Sequence, residues 1–163
     1  QVNPVMAESL QAFVIASVMS FAPATVVDAY AGAGAVALEL TAHNVRVTAI
    51  ELDAEASAWS ASRLPPGSRA LTGRVEDLLP RALPVDVAIL NPPRTGVDAR
   101  VIAALAAKPP TRAIVYVSCD PATLARDIAR LPSWRGARVT AFDMFPQTAH
   151  VETVCDLVPH RAT

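Results

Sequence analysis

The sequence predicts a doubly wound α/β fold with a mainly parallel sheet, and three observations support this. Apolar runs rich in Val, Ile and Ala alternate along the chain with helical patterns. Most of these runs are continuously apolar, which is typical of strands that helices cover on both faces. The chain has 163 residues, of which 52% are hydrophobic and 18% are charged. That length and composition fit one globular domain with a sizeable core.

The first twenty residues predict a helix, because apolar residues recur there at helical spacing: Met6, Leu10, Phe13, Val14 and Val18. From Pro23 onward, predicted strands and helices alternate. The predicted strands cover residues 25–30, 46–52, 69–73, 85–90, 113–119, 137–143 and 151–158. The predicted helices cover residues 34–43, 54–63, 76–82, 97–107 and 121–131. The last two strands follow each other without a helix, which predicts an antiparallel pair at one edge of the sheet.

Composition and charge argue against several classes of function. The formal net charge is −1, so no global basic field would recruit a polyanion. The apolar segment 10–24 lacks a basic flank, and no stretch reaches the roughly 18 apolar residues that suggest a membrane span. We therefore expect no signal peptide and no membrane partner. Two cysteines offer no disulfide framework and no Cys/His spacing suits a metal, which predicts a cytoplasmic location and no metal site.

The first strand runs into a turn, Asp28-Ala29-Tyr30-Ala31-Gly32-Ala33-Gly34, that predicts a nucleotide-binding loop. The glycines permit a tight turn and close approach of the backbone to a ligand. Strand two ends near Glu51, about 20 residues further on, where a carboxylate can accept both ribose hydroxyls. The spacing Gly32-x-Gly34-x-x-Ala37 also fits the dinucleotide fingerprint loosely, which leaves a nicotinamide oxidoreductase open. Against that alternative, the Asp28 carboxylate suits a cationic cofactor better than a pyrophosphate.

The run Ser118-Cys119-Asp120-Pro121 places a thiol at the carboxyl edge of the predicted sheet, where ligands of open α/β sheets bind. Pro121 opens a helix, and a nearby helix N-terminus favours a thiolate. We therefore interpret Cys119 as a nucleophile. Glu152, at the start of the last strand, is interpreted as a general base in the same cleft. Cys155 is expected in the core.

Taken in order, these motifs resemble the catalytic domain of the RNA uracil-5 methyltransferases over essentially the whole chain. The most specific matches are residues 118–127, Ser-Cys-Asp-Pro-x-Thr-Leu-Ala-Arg-Asp, and residues 145–152, Phe-Pro-x-Thr-x-His-Val-Glu. Residues 91–96 resemble the family's Asp-Pro-Pro-Arg-x-Gly, and residues 1–3 resemble its Gln-x-Asn. The resemblance implies a class I methyltransferase fold, with a seven-stranded sheet whose last strand is antiparallel. It also implies methyl transfer from S-adenosylmethionine to carbon 5 of a uridine in tRNA or rRNA.

The resemblance further implies roles for single residues. It makes Cys119 and Glu152 catalytic, and Arg94 and Arg126 substrate-binding. The implied cofactor-binding residues are Gln1, Asp28, Tyr30, Gly32, Gly34, Glu51 and Asn91. Residues 1–163 would form a monomeric catalytic domain whose partner is RNA, without the N-terminal RNA-binding and central domains of many members.

The chemistry explains why these residue types are needed. Carbon 5 of uracil is a poor nucleophile. A thiolate that adds to carbon 6 turns the ring into an enolate, whose carbon 5 can attack a sulfonium methyl group. A base must then remove the proton from carbon 5 so that the thiolate can leave.

Departures from the family pattern keep two further alternatives open. The residues that differ from the usual ones are Ala31, Ala35, Arg74, Asn91 and Asp120, which leaves cofactor affinity and substrate preference unsettled. The run Asn91-Pro92-Pro93 also fits the motif of exocyclic-amine methyltransferases, although the aromatic fourth position of that motif is Arg94 here. The other alternative is a cofactor-binding module that is inactive without an RNA-binding domain. We expect four arginines to be scattered over the surface rather than to form an RNA-facing patch: Arg126, Arg130, Arg135 and Arg138.

Overall fold

The computed structural model describes residues 4–143 and 151–160 of the chain. The described helices are α1 (Pro4–Ser20), α2 (Ala35–Ala42), α3 (Ala54–Arg63), α4 (Val75–Ala82), α5 (Ala99–Ala107) and α6 (Pro121–Ala129). The described strands are β1 (Thr25–Ala29), β2 (Arg46–Glu51), β3 (Arg69–Thr72), β4 (Val87–Leu90), β5 (Ala113–Ser118), β6 (Trp134–Phe142) and β7 (Glu152–Pro159). The predicted order of elements is confirmed.

The strands form one sheet in the order β3-β2-β1-β4-β5-β7-β6. The first five strands are parallel, β7 is antiparallel to β5, and β6 is antiparallel to β7. The predicted seven-stranded sheet with an antiparallel last strand is thus confirmed. β6 begins three residues earlier than predicted, at Trp134, because an irregularity between Gly136 and Arg138 lets its first residues pair with the end of β7.

Helices cover both faces of the sheet, as the continuous apolar strands predict. On one face, α1 and α2 pack Val14, Val18 and Leu40 against the strands, and α3 lies beside α2. On the other face, α4, α5 and α6 contribute Leu79, Leu105 and Leu124. Cys155 is buried in this second layer, which confirms its predicted place in the core.

The antiparallel end of the sheet anchors α1. Asp156 of β7 is buried, accepts a hydrogen bond from Ser17 of α1, and pairs with Arg138 of β6 at 2.7 Å. The Arg138 guanidinium also lies 4.9 Å from the ring centroid of Phe13 on α1. These contacts fix the second half of α1 against β6 and β7. Within residues 4–143 and 151–160, no helix combines the length and the apolar character needed to cross a membrane.

Candidate functional site

The sheet order creates a crevice at the carboxyl ends of β1 and β4. β1 lies between β2 and β4, so the chain leaves β1 to one side and later returns on the other. Ligands of doubly wound sheets bind outside such a switch point. A cleft of about 690 Å³ opens here, and its lining includes Tyr30, Gly32, Glu51 and Asn91. Four of the predicted cofactor residues therefore meet at one cavity.

The two glycines in the turn after β1 have different structural roles. Gly34 has φ +78°, and a Cβ there would collide with the Ser60 side chain of α3, so this glycine permits helix packing. Gly32 has φ +56°, and a Cβ there would meet no atom within 4 Å. Its bare backbone therefore faces the open cleft. Tyr30 also has a positive φ, 65°, an uncommon backbone conformation that is enriched at functional sites.

The Glu51 carboxylate sits at the end of β2 beside this turn. One oxygen accepts the Gly32 N–H at 2.7 Å and the other accepts the Asp53 N–H at 2.8 Å. Each oxygen keeps further acceptor capacity. Glu51 thus fixes the turn and presents acceptors to the cleft, where ribose hydroxyls could donate to them.

Asp28 is a buried carboxylate with an unsatisfied oxygen. Among the described residues, its Oδ2 has no hydrogen-bond partner, and its residue surface is 3% exposed. Burial, and to a smaller extent the negative charge of Glu51, raise its pKa to about 7. Asp28 lines a second cavity of about 190 Å³ beneath α1. Tyr30 and Asn91 line both cavities, so the two spaces adjoin.

The β5–β7 ladder brings Cys119 and Glu152 to the same edge of the sheet. Ser118, the last residue of β5, pairs with Thr153 in this antiparallel ladder. Cys119 follows Ser118 just outside the strand, and Glu152 precedes Thr153 as the first residue of β7. The next pair inward, Val117 and Val154, packs in the layer that contains α1. The predicted nucleophile and base therefore each lie one residue from the last pair of this ladder.

Arg94 and Glu152 interact electrostatically. Burial raises the pKa of the Glu152 carboxyl, and the positive charge of Arg94 opposes that rise in part. The Arg94 side chain is exposed, on the loop that follows β4. A carboxylate with a raised pKa is a stronger base than an ordinary one, which suits proton removal.

One feature was not predicted from the sequence: side chains of α6 bind the backbone of residues 94–97, the loop that carries Arg94. We call these contacts the loop clamp. The carboxylate of Asp127 is fully buried and accepts the Val97 N–H at 2.9 Å and the Tyr116 hydroxyl at 2.7 Å. Arg130 pairs with the same carboxylate at 3.1 Å. Burial alone would raise the pKa of Asp127, but the hydrogen bonds from Val97, Tyr116 and Arg126 outweigh it and hold the pKa below its usual range.

The remaining clamp contacts come from the same helix. Thr123 donates to the Arg94 carbonyl at 3.2 Å, and Arg126 donates to the Thr95 carbonyl at 2.8 Å. Gly96 has φ +79° and packs so closely against α6 that a Cβ would collide with Asp127. In the sequence, this contact was indicated only by the motif Thr-Leu-Ala-Arg-Asp, because three of its five residues bind this loop. Arg126 is thus engaged within the molecule, and its substrate role remains a prediction.

Gln1 and residues 144–150 lie outside the described residues. Asn91 is exposed at the junction of the two cavities, and its N–H donates to the Ala29 carbonyl at 3.3 Å. In the parts of the chain that the structure describes, no three His, Cys, Asp or Glu residues group so as to hold a metal ion.

Comparison with known proteins agrees with this geometry. Residues 66–158, more than half of the chain, match the sequence profile described as tRNA (uracil-5-)-methyltransferase. The chain belongs to this family. The matched segment of this family member includes Asn91, Cys119 and Glu152.

Individual relatives extend the match to the rest of the chain. The 23S rRNA (uracil(747)-C(5))-methyltransferase RlmC of Vibrio cholerae is 38% identical over 97% of this chain and 43% of its own length. An uncharacterized RNA methyltransferase of Thermosynechococcus vestitus is 38% identical over 94% of this chain and 36% of its own. The chain therefore spans less than half the length of these curated relatives.

A solved structure shows the same fold with a bound cofactor product. The tRNA (uracil-54, C5)-methyltransferase of Pyrococcus abyssi, in complex with S-adenosyl-L-homocysteine, superposes with a TM-score of 0.75. It is 27% identical and covers 91% of this chain and 38% of its own. The N-methyltransferase NodS of Bradyrhizobium japonicum, at 14% identity and a TM-score of 0.76, shares the fold alone. The predicted class I methyltransferase fold is thus confirmed.

Proposed function

We propose that this chain transfers a methyl group from S-adenosylmethionine to carbon 5 of a uridine in RNA, through a covalent bond between Cys119 and the uracil ring. One observation carries the proposal: Cys119 and Glu152 each lie one residue from the Ser118–Thr153 pair at the end of the β5–β7 ladder. The reaction needs a soft nucleophile and a base near one uracil ring, and neighbouring positions at one strand end can supply both. Family membership supports the same reaction.

The residues of the cleft fit S-adenosylmethionine. The bare backbone of Gly32 admits a ligand, and Glu51 offers acceptors to ribose hydroxyls. The unpaired buried oxygen of Asp28 suits a cationic group, which a buried carboxylate needs as a partner. S-adenosylmethionine carries both a sulfonium and an ammonium group, and it supplies an electrophilic methyl.

The steps follow from the two side chains. After its proton has left to water, the Cys119 thiolate adds to carbon 6 of the uracil, and the electrons of the 5,6 double bond move toward the oxygen on carbon 4. These electrons then let carbon 5 bond to the methyl carbon, whose bond to the sulfonium sulfur would break, so that S-adenosylhomocysteine would leave. The Glu152 carboxylate removes the hydrogen of carbon 5 as a proton, the electrons of that C–H bond re-form the double bond, and the bond from carbon 6 to Cys119 breaks to return the thiolate.

Arg94 belongs on the substrate side of this site. It is exposed on the clamped loop and its charge acts on Glu152. A guanidinium there can donate to an RNA phosphate or to an oxygen of the uracil ring. The loop clamp from α6 holds it in place.

Two residues argue against the alternative of an exocyclic-amine methyltransferase. In that reaction Asn91 and a proline carbonyl bind an amine and an aromatic residue stacks on the base, but Arg94 stands in the aromatic position. Cys119 would have no function in that chemistry. Tritium at carbon 5 of the uridine separates the two reactions, because only methylation at carbon 5 releases it.

The test uses RNA with tritium at carbon 5 of uridine under single-turnover conditions, with the chain in excess so that weak RNA binding does not limit the reaction. We expect tritium release with the native chain and none with Cys119→Ala, whose S-adenosylmethionine affinity stays unchanged. Cys155→Ala removes the other, buried thiol and is the matched control; it should remain active. Release above a few per cent by Cys119→Ala would refute the covalent route. Native chain that binds cofactor and RNA without releasing tritium would support the inactive-module alternative.

A further inference from the structure

The arginines of this chain divide into two groups. Six described arginines have an acidic partner within 4 Å: Arg74, Arg100, Arg112, Arg126, Arg130 and Arg138. The other six have no ion pair with any described residue: Arg46, Arg63, Arg69, Arg81, Arg94 and Arg135. Four of these six, Arg46, Arg63, Arg69 and Arg81, collect at the amino ends of β2 and β3, opposite the edge that bears Cys119. We call these four the arginine edge.

The topology brings the members of the arginine edge together. Arg46 is the first residue of β2 and Arg69 the first of β3, and the ladder between these strands is parallel. Arg63 ends α3 on the turn into β3, and a Cβ at Gly67 of that turn would lie 3.9 Å from Cδ of Arg46. Arg46 and Arg69 line one cavity of about 290 Å³.

None of the described residues that line this cavity is acidic. Ala82 and Pro84, which follow Arg81 at the end of α4, line it together with Thr25 and Thr48 as polar neighbours. Asp86, an acidic residue on the same edge, accepts hydrogen bonds from the Ala24 N–H and from Thr111 and pairs with Arg112 at 3.6 Å. Arg63 stacks 5.4 Å from the ring centroid of exposed Trp59, which leaves the edge of its guanidinium free to donate.

We propose that the arginine edge binds the phosphate backbone of the substrate RNA at a distance from the target uridine. The inference rests on the proposed function, because it takes RNA as the substrate. A guanidinium matches the geometry of a phosphate with two parallel donors, and unpaired guanidinium groups lose no ion pair when they bind one. A strand of six residues spans about 20 Å, so phosphates several nucleotides away from the uracil reach this edge. The net charge of −1 conceals the edge, because acidic residues such as Glu51, Asp53 and Glu76 lie at or after the carboxyl ends of β2 and β3.

The test measures how the affinity of the 163-residue chain for one stem–loop RNA changes with salt. Each phosphate contact contributes about 0.7 to 0.9 to the slope of log K against log salt. The double variant Arg46→Gln/Arg69→Gln should lower the slope by about 1.4 to 1.8. Arg46→Lys/Arg69→Lys keeps both charges and should keep the slope, which separates charge from folding.

Arg135→Gln is the matched control. Arg135 is also exposed and without an ion pair among the described residues. It lies near the start of β6, which is the outermost strand on the side of the sheet away from β3 and about 25–30 Å from it. Its slope should equal that of the native chain. An unchanged slope in a folded Arg46→Gln/Arg69→Gln variant would overturn the proposal and point to an acidic protein surface as the partner. Because binding is measured without turnover, a failure of methylation leaves this result intact, and the reverse also holds.

Discussion

At the scale of single residues, the two cysteines show how position decides chemistry. Cys155 points into the core, and burial raises the pKa of its thiol to about 11, so it stays a neutral packing group. Cys119 lies one residue past the end of β5, is partly exposed, and is followed by the N-terminus of α6. The same residue type thus provides an inert core contact in one place and a proposed nucleophile in the other.

Glu152 should control release of the product rather than formation of the adduct. In Glu152→Gln, Cys119 can still add to the ring and carbon 5 can still be methylated, but the proton on carbon 5 has no base. We expect a covalent protein–RNA species that survives a denaturing gel, with release slowed by about 10²- to 10⁴-fold. The double variant Cys119→Ala/Glu152→Gln should form none. Loss of the adduct in Glu152→Gln alone would make Glu152 a structural residue.

Asp28 should make cofactor binding depend on pH. Its pKa of about 7 means that the free protein holds a proton there below pH 7, whereas a bound cation requires the ionised form. Affinity for S-adenosylmethionine should therefore fall by up to about tenfold per pH unit below 7 and level off above it. Calorimetric titration across this range measures the effect. Asp28→Asn should bind more weakly with a flat profile, and an equally steep profile in that variant would contradict the role of Asp28.

At the scale of elements, α6 connects the nucleophile to the loop after β4. It begins two residues after Cys119, and its side chains bind the backbone of residues 94, 95 and 97. Cys119 and the loop that carries Arg94 are thus both attached to one helix. A shift of this helix would move both together.

The clamp should be sensitive to one charge. Asp127→Asn removes the carboxylate that joins Val97, Tyr116 and Arg130, and the loss of its charge-assisted hydrogen bonds costs about 1.5 to 3 kcal/mol of unfolding free energy. Asp120→Asn, in the same helix, is the matched control, because Asn caps a helix as well as Asp does and the change should stay within about 0.5 kcal/mol. Urea unfolding measures both. Faster amide exchange at Val97 in Asp127→Asn alone would place the effect at the clamp, and equal losses in the two variants would argue against it.

At the scale of the whole molecule, the sequence predicted most of the fold because its signals are local. Continuous apolar runs, helix caps and glycine turns act within a few residues, and they located all thirteen described elements. The arrival of Cys119 and Glu152 at one edge of the sheet was also predictable, since one residue follows a parallel strand and the other begins an antiparallel one.

The rest depends on contacts between distant segments. The clamp joins residues about 30 positions apart through side chains, and no periodicity records such a pairing. Arginines that are scattered along the sequence take different places in the fold, some in ion pairs with acidic residues and four at the arginine edge. That sorting requires knowledge of which strand end each arginine occupies, which only the assembled sheet provides.

The antiparallel insertion of β7 has a consequence for how this site can vary. Backbone hydrogen bonds of one ladder hold Ser118 beside Thr153, so the positions of Cys119 and Glu152 both depend on the alignment of β5 with β7. A slip of this ladder by a single residue would turn Glu152 to the opposite face of the sheet. The β5–β7 alignment is therefore the part of the sheet that can vary least if both residues are to serve one site.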